Sequence, residues 1–385
     1  MIRNMLLKQE DDEGSFMAVA HAGSPGITIY SQDEDTFTKL ANPATLPSIT
    51  GKSVAFSANG LYMTVAESTT PFIIIYKRSE DTFTKLANPA TLPTEDAEGV
   101  AFSADNVYLA VATQNSPFII IYKRSGDTFT KMANPATLPP NRCNGVAFSA
   151  DGVYLSAVSS SSPYINIYKR SGDTFTKLAN PAALPASTGN GVAFSPDGVY
   201  LAVAHLGTPF ITIYSRSGDT FTKLSNPAAL PASTGNGVAF SADGVYLAVA
   251  HLGTPFITIY SRSGDTFTKL ANPAALPAST GNGVAFSADG VYMSVAHAST
   301  PFVTIYKRSG DTFTKLANPA ALPAAQGNGV AFSKNGLYMA VVADATPFVT
   351  IYSRSGDTFT KLSNPATLPG GVSLGVAFYP PAFWG

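Results

Sequence analysis

The stretch GVAFSPDGVYLAVAHLGTPFITIYSRSGDTFTKLSNPAALPASTGN, residues 191–236, is followed at once by its own copy, residues 237–282, changed only at Pro196/Ala242 and Ser225/Ala271. Working outward from this pair, the hexamer Asp-Thr-Phe-Thr-Lys-(Leu/Met) begins at Asp35, Asp81, Asp127, Asp173, Asp219, Asp265, Asp311 and Asp357, always 46 residues apart. Val-Ala-Phe ends at Phe56, Phe102, Phe148, Phe194, Phe240, Phe286, Phe332 and Phe378 with the same interval. A fixed period of this length, with no insertion or deletion, marks units that bury their apolar faces against one another.

Each unit reads as four short strands. In 237–282 they are Gly237–Ser241 (a), Tyr246–Ala250 (b), Phe256–Tyr260 (c) and Thr266–Leu270 (d), rich in Val, Ile, Phe, Tyr and Thr and separated by Ala-Asp-Gly, Leu-Gly-Thr-Pro and Ser-Gly-Asp. Strands b and c are apolar on both faces, so each sheet must be covered on both sides. Strand a alternates small and large, which suits the narrow end of a wedge. Strand d carries Thr, Thr and Lys, the polar character of an edge that resists pairing with another molecule. The order small, apolar, apolar, polar predicts the inner-to-outer strands of a propeller blade.

The chain ends predict closure. Strands b (15–20), c (27–30) and d (36–40) of the first unit have no strand a before them, since 7–14 is acidic and patternless. The last unit ends just past a lone strand a at 375–379, followed by Pro380 and Pro381. The expected fold class is therefore all-β, a closed eight-bladed propeller spanning 15–379, with blade 1 made of 15–40 plus 375–379. Residues 1–14 form an N-terminal extension and 380–385 a C-terminal tail.

The bulk chemistry narrows the function. Only 13% of residues are charged, and Lys+Arg 24 against Asp+Glu 25 leaves no field to attract nucleic acid or an anionic membrane. The patch Met5–Leu7 is too short for a signal-peptide core, and nothing approaches the ~20 apolar residues of a membrane span, so the chain reads as soluble. Its compartment stays open, a virion included. The single cysteine, Cys143, excludes an intramolecular disulfide.

At Val-Ala-Phe-Ser-Pro-Asp-Gly (192–198), Tyr-Leu-Ala-Val-Ala (200–204) and Ile-Thr-Ile-Tyr (211–214) the chain resembles the WD-repeat-like propellers, over essentially its whole length. The Trp-Asp signature is replaced by pairs such as Tyr76-Lys77 and Tyr214-Ser215, and no Gly-His precedes strand a. The likeness is to the looser prokaryotic repeats, some of them in phage virion proteins. It implies the fold strongly and a function weakly.

Antiparallel strands send the b–c and d–a loops to one face and the a–b and c–d turns to the other. The turns barely change between units, whereas the b–c and d–a loops do, so a binding face is expected there, with His21, Glu67, Gln114, Arg142, His205, His251, His297 and Asp344 as its candidate residues. The four histidines share one position at the end of strand b. Neighbouring blades hold such points ~10 Å apart, too far for a metal with ligands at ~2 Å, but a surface rim gaining charge below pH ~6.5 is a reading to test. The Asp of the a–b turns (Asp105, Asp151, Asp197, Asp243, Asp289) reads as turn chemistry rather than a calcium ladder. Arg142 beside Cys143 could make a reactive thiol.

No paired acids, Ser/His/Asp set, phosphate loop or cofactor motif stands out, and strand a with its lead-in repeats Gly-Asn-Gly-Val-Ala-Phe, leaving almost no ionisable group near the axis. The chain is expected to be no enzyme and to need no cofactor or metal, unless Glu95, Asp96 and Glu98 fold over the channel with Arg142. Two readings survive. One is a structural or interaction protein within a larger assembly, such as a phage virion or tail component, with protein partners and the terminal segments as docking elements. The other is a multivalent glycan or small-ligand binder using the b–c/d–a face, although Trp384 is the only tryptophan.

Overall fold

In the computed structural model, which describes residues 15–47 and 49–379, the repeat folds into eight antiparallel sheets of four strands each. Seven sheets use consecutive strands. The eighth joins Ser15–His21, Ile27–Asp33 and Thr36–Lys39 to the last strand, Ser373–Tyr379. Phe16 lies opposite Tyr379 and Ala18 opposite Ala377, so the last strand completes the first blade. The proposed extensions, 1–14 and 380–385, lie outside the described residues. No helix among the described residues is long and apolar enough to cross a membrane.

The ring closes by packing as well as by pairing. Every inner strand touches the inner strands of both neighbours, Ser373–Tyr379 against Gly51–Phe56 and Gly327–Phe332 included. The cores lie between blades rather than within them: Ala193, Tyr200, Ala202, Ile211 and Ile213 of one blade pack against Phe240, Leu247, Val249, Tyr260 and Phe267 of the next. Equivalent clusters flank the closing blade on both sides. A sheet apolar on both faces is stable only when both are covered, and the ring covers all of them.

The repeated hexamer has a packing reason. Its Phe turns inward at the blade boundary, as where Phe221 meets Tyr154 of the neighbouring blade edge-on at 5.5 Å and Phe194 of its own blade at 6.4 Å.

Strand bounds differ from the sequence expectation in an instructive way. In the 237–282 unit strand a runs Gly235–Phe240, strand b reaches His251, and strand c runs Ile257–Ser263. Phe256 stays outside strand c because its φ is +68, following the cis Thr254–Pro255 bond. The two extra residues of strand a surround a β-bulge, with Gly235 opposite His251 and Gly237 opposite Ala250. Asn236, between them, is therefore unpaired in the ladder. Bulges re-aim side chains, and this one recurs in every blade.

Candidate interaction face and channel mouth

The constant face is a belt of inter-blade locks. Tyr154, at the start of a strand b, donates its hydroxyl to Gly218 O at 2.9 Å and Asp219 Oδ1 at 2.7 Å in the next blade's c–d turn. Lys169 donates to the other carboxylate oxygen of Asp219 at 2.6 Å. Arg216 lies 4.6 Å above the Tyr154 ring and reaches Asp151 Oδ2 at 3.3 Å. Asp151 also accepts from Ser149 and from the amide of Val153, the turn chemistry expected of it. The same Arg–Asp pairing joins Arg170 to Asp105, Arg262 to Asp197, Arg308 to Asp243 and Arg354 to Asp289. These turns are constant in their Asp and Arg because those side chains hold a neighbouring blade.

On the opposite face the structure corrects most of the candidate set. His21, His205, His251, His297 and Glu67 are fully buried, so they line no surface. Strand b continues one residue further than expected, and its last side chain points into the blade toward strand c. Each histidine places Nε2 2.9 Å from a threonine hydroxyl there: Thr28, Thr212, Thr258 and Thr304. Burial holds all four imidazoles down to about 4, with the backbone near each ring opposing only part of the shift. A surface rim gaining charge near pH 6.5 is thereby excluded. The position covaries with its partner: Ser159 accepts from Asn166 Nδ2, while Glu67 and Thr113 occur where strand c offers Ile74 and Ile120.

Gln114, Arg142 and Asp344 do lie on the variable face, Gln114 half-buried and the other two exposed. Cys143, beside Arg142, is buried in the core, and burial pushes its thiol up to about 12, which removes the reactive-thiol reading.

The channel mouth holds Lys52 and a ring of asparagines that sequence reasoning missed. The bulge residue of each inner strand forms a ring position. Asn144, Asn190, Asn236 and Asn282 donate Nδ2 to Gly189, Gly235, Gly281 and Gly327 O of the next blade, and Asn328 donates to Ser373 O, all at 2.8–3.0 Å. The other three positions, on adjacent blades, are Leu374, Lys52 and Glu98. Lys52 Nζ sits 2.9 Å from Asp96 and 3.0 Å from Glu98, and Gln114 Nε2 donates to Glu98. Burial works against the Lys52 ammonium, but its bonds to Asp96 and Glu98 and their charges prevail and raise its pKa. Ionisable groups therefore stand near the axis, contrary to the sequence reading. Asp96 and Glu98 do gather there, whereas Arg142 forms no ion pair among the described residues. Aligning the eight units at the bulge exposes this departure, because Lys52, Glu98 and Leu374 stand where five units have Asn. No group of three or more His, Cys, Asp or Glu side chains suited to a metal occurs among the described residues.

The architecture defines the class: a closed eight-bladed β-propeller of four-stranded blades, as the WD-repeat-like resemblance implied. No family model matches the chain, and no curated protein does. Among solved structures it is similar to a putative 6-phosphogluconolactonase from Bacteroides fragilis, with 15% identity, a TM-score of 0.60, and coverage of 96% of this chain and 99% of that one. The periplasmic gluconolactonase of Pseudomonas aeruginosa gives 13% and 0.57, covering 94% and 99%. The Swd1 β-propeller domain from Myceliophteria thermophila gives 11% and 0.54, covering 79% and 97%. Likeness at these identities shows the fold alone.

Proposed function

We propose that the chain is a non-enzymatic interaction module, a rigid ring that presents its b–c/d–a face to a protein partner within a larger assembly. The observation that carries this reading is the contrast between the faces. One carries the repeated locks, with Leu61, Val199 and Leu337 of its turns exposed between them. The other holds the individual features: the Lys52–Asp96–Glu98–Gln114 cluster, Arg142, Asp344 and the exposed Leu206 and Leu252 at 44% and 45%. Apolar side chains beside scattered charges make the usual chemistry of a protein-binding surface. Low net charge and a modular disc suit a particle component, and a phage virion or tail is the setting this reading favours.

The test is a density gradient of native material with the chain located by mass spectrometry. Recovery with megadalton particles, lost on L206D/L252D/R142E while the melting curve is kept, supports the module. A free ~40 kDa chain, or turnover of 6-phosphogluconolactone suggested by the names of two structural neighbours, overturns it.

A further inference from the structure

The outer rim carries a second repeated feature, separate from the variable face. A groove of about 450 Å³ lies at the blade boundary between the linker Leu178–Ala183 and the strand segment Asp219–Lys223. A second of equal volume lies between Leu362–Thr367 and Asp35–Lys39. The two boundaries are four blades apart, diametrically opposite in the ring. The lining recurs in sequence at all eight boundaries as Leu/Met-Ala/Ser-Asn-Pro-Ala-Ala/Thr facing Asp-Thr-Phe-Thr-Lys.

Most of that lining is constant for reasons internal to the ring. Asp219 takes Tyr154 and Lys169, Phe221 packs on Tyr154, and Lys223 donates to Asn226. The two threonines keep the outer edge polar, but their side chains bond to no other part of the ring. Thr220 and Thr222 are exposed, and their hydroxyls make no hydrogen bond among the described residues. A polar edge alone would tolerate Lys or Glu in their place. Yet both threonines are unchanged in all eight units, while the b–c loops of the same units have diverged.

We propose that these blade-boundary grooves are equivalent binding sites for a neutral carbohydrate, gripped by the rim threonine hydroxyls over the Pro-Ala floor of the linker. The groove has room for a sugar ring or two. In the 178–223 groove Asp219 is paired with Lys169 and Lys223 Nζ donates to Asn226, so the unbonded polar atoms left on the rim are the threonine hydroxyls, which suit a ligand rich in hydroxyls. A peptide strand fits poorly, because the edge is four residues long, ends in Lys and is followed by Asn-Pro. Without an exposed aromatic platform each site is weak, and repetition around the ring compensates through avidity.

The test uses the full chain with methyl α-mannoside, methyl β-galactoside, methyl β-glucoside and N-acetylglucosamine in saturation-transfer NMR and calorimetry, and with an array of neutral glycans. At least one probe should bind with several equivalents per chain. Replacing the second rim threonine in all eight blades by Val (Thr38, Thr84, Thr130, Thr176, Thr222, Thr268, Thr314, Thr360) should weaken it about tenfold or more, the worth of one lost hydrogen bond. The matching Thr→Ser set should bind as the parent does, which separates loss of the hydroxyl from loss of the fold. Silence from every probe, a single site per chain, or undiminished binding by the Val set overturns the proposal.

Discussion

The ring of Tyr379, carried by the last strand, fills the place a side chain on Gly60 would take: a β-carbon there would stand 2.1 Å from Tyr379 Cζ. Gly60 belongs to the a–b turn of the second blade, so this contact joins the chain's end to its first complete repeat. At Gly198 the same turn position meets only the flexible end of an arginine, Arg216 Nη2 at 3.3 Å. Both glycines have positive φ, +62 and +66, so alanine carries the same backbone strain at each. Gly60→Ala should therefore cost about 1–3 kcal/mol more than Gly198→Ala, the overpacking share alone. In a Tyr379→Ser background, which restores the residue of the other units, that excess should vanish in a double-mutant cycle by urea unfolding. An unchanged excess would mean that Tyr379 does not guard the closure.

The ring was legible in the sequence because its evidence is spacing. Eight hexamers at one interval and a strand missing at one end but present at the other leave little freedom. The candidate site was less legible because it depends on where single side chains point. His205 reads as a loop residue until strand b is seen to run through it, and a one-residue change of bound exchanges surface for interior. Lys52 was hidden by the bulge, which no periodicity reveals, whereas Glu98 was already a candidate for the channel. The signal was there in comparison between units: every strand-b His has a Thr seven residues on, and Lys52 and Glu98 replace an otherwise repeated Asn.

The lock on the constant face predicts a graded response. Tyr154→Phe keeps the ring under Arg216 and the contact with Phe221 but removes the hydroxyl shared by Gly218 and Asp219. The loss should be about 1 kcal/mol, one net hydrogen bond. Blade 1 already carries this change, since Phe16 occupies the tyrosine position and still lies 5.0 Å from Arg78 Cζ. Tyr154→Ala should cost several times more, about 3–5 kcal/mol, because it also empties the core between two blades. Equal costs for the two variants in denaturant melts would show that the hydroxyl, not the ring, carries the lock.

The buried histidines set a direction for pH dependence. Folded, each is held at about 4; unfolded, each returns to 6.5. The unfolded chain thus binds more protons, so stability is full above pH 6.5 and falls as pH drops from 6.5 toward 4. At pH 5.5 the loss is on the order of 1 kcal/mol per histidine. Carboxylates act in a separate window: Lys169 and Tyr154 hold Asp219 below its usual range, so its contribution disappears only below its unfolded 3.8. Replacing all four histidines by Ala, the residue that Ala343 already supplies at this position with Thr350 seven residues on, should flatten the melting temperature between pH 7.5 and 5. A slope as steep as the parent's would place the proton uptake elsewhere.

The channel-mouth cluster can be tested by separating its charge from its place in the ring. Lys52 sits between two carboxylates, and its removal alone leaves Asp96 and Glu98 facing each other in partly buried positions. Lys52→Ala should therefore destabilise the ring, by about 1 kcal/mol after allowance for solvent at these 20–25% exposed side chains. The double change K52N/E98N restores the amide found at five other bulges, where Asn bonds the next blade's backbone, and should melt at or above the parent temperature. If the cluster were only a packing substitute, the double variant would also stay in the heavy gradient fractions. If instead the cluster is part of the docking face, K52N/E98N should stay folded yet leave the heavy gradient fractions. A stable ring that loses its assembly is the outcome that divides stability from recognition at this site. A stable ring that keeps its assembly would move the docking surface outward, to Arg142, Leu206 and Leu252.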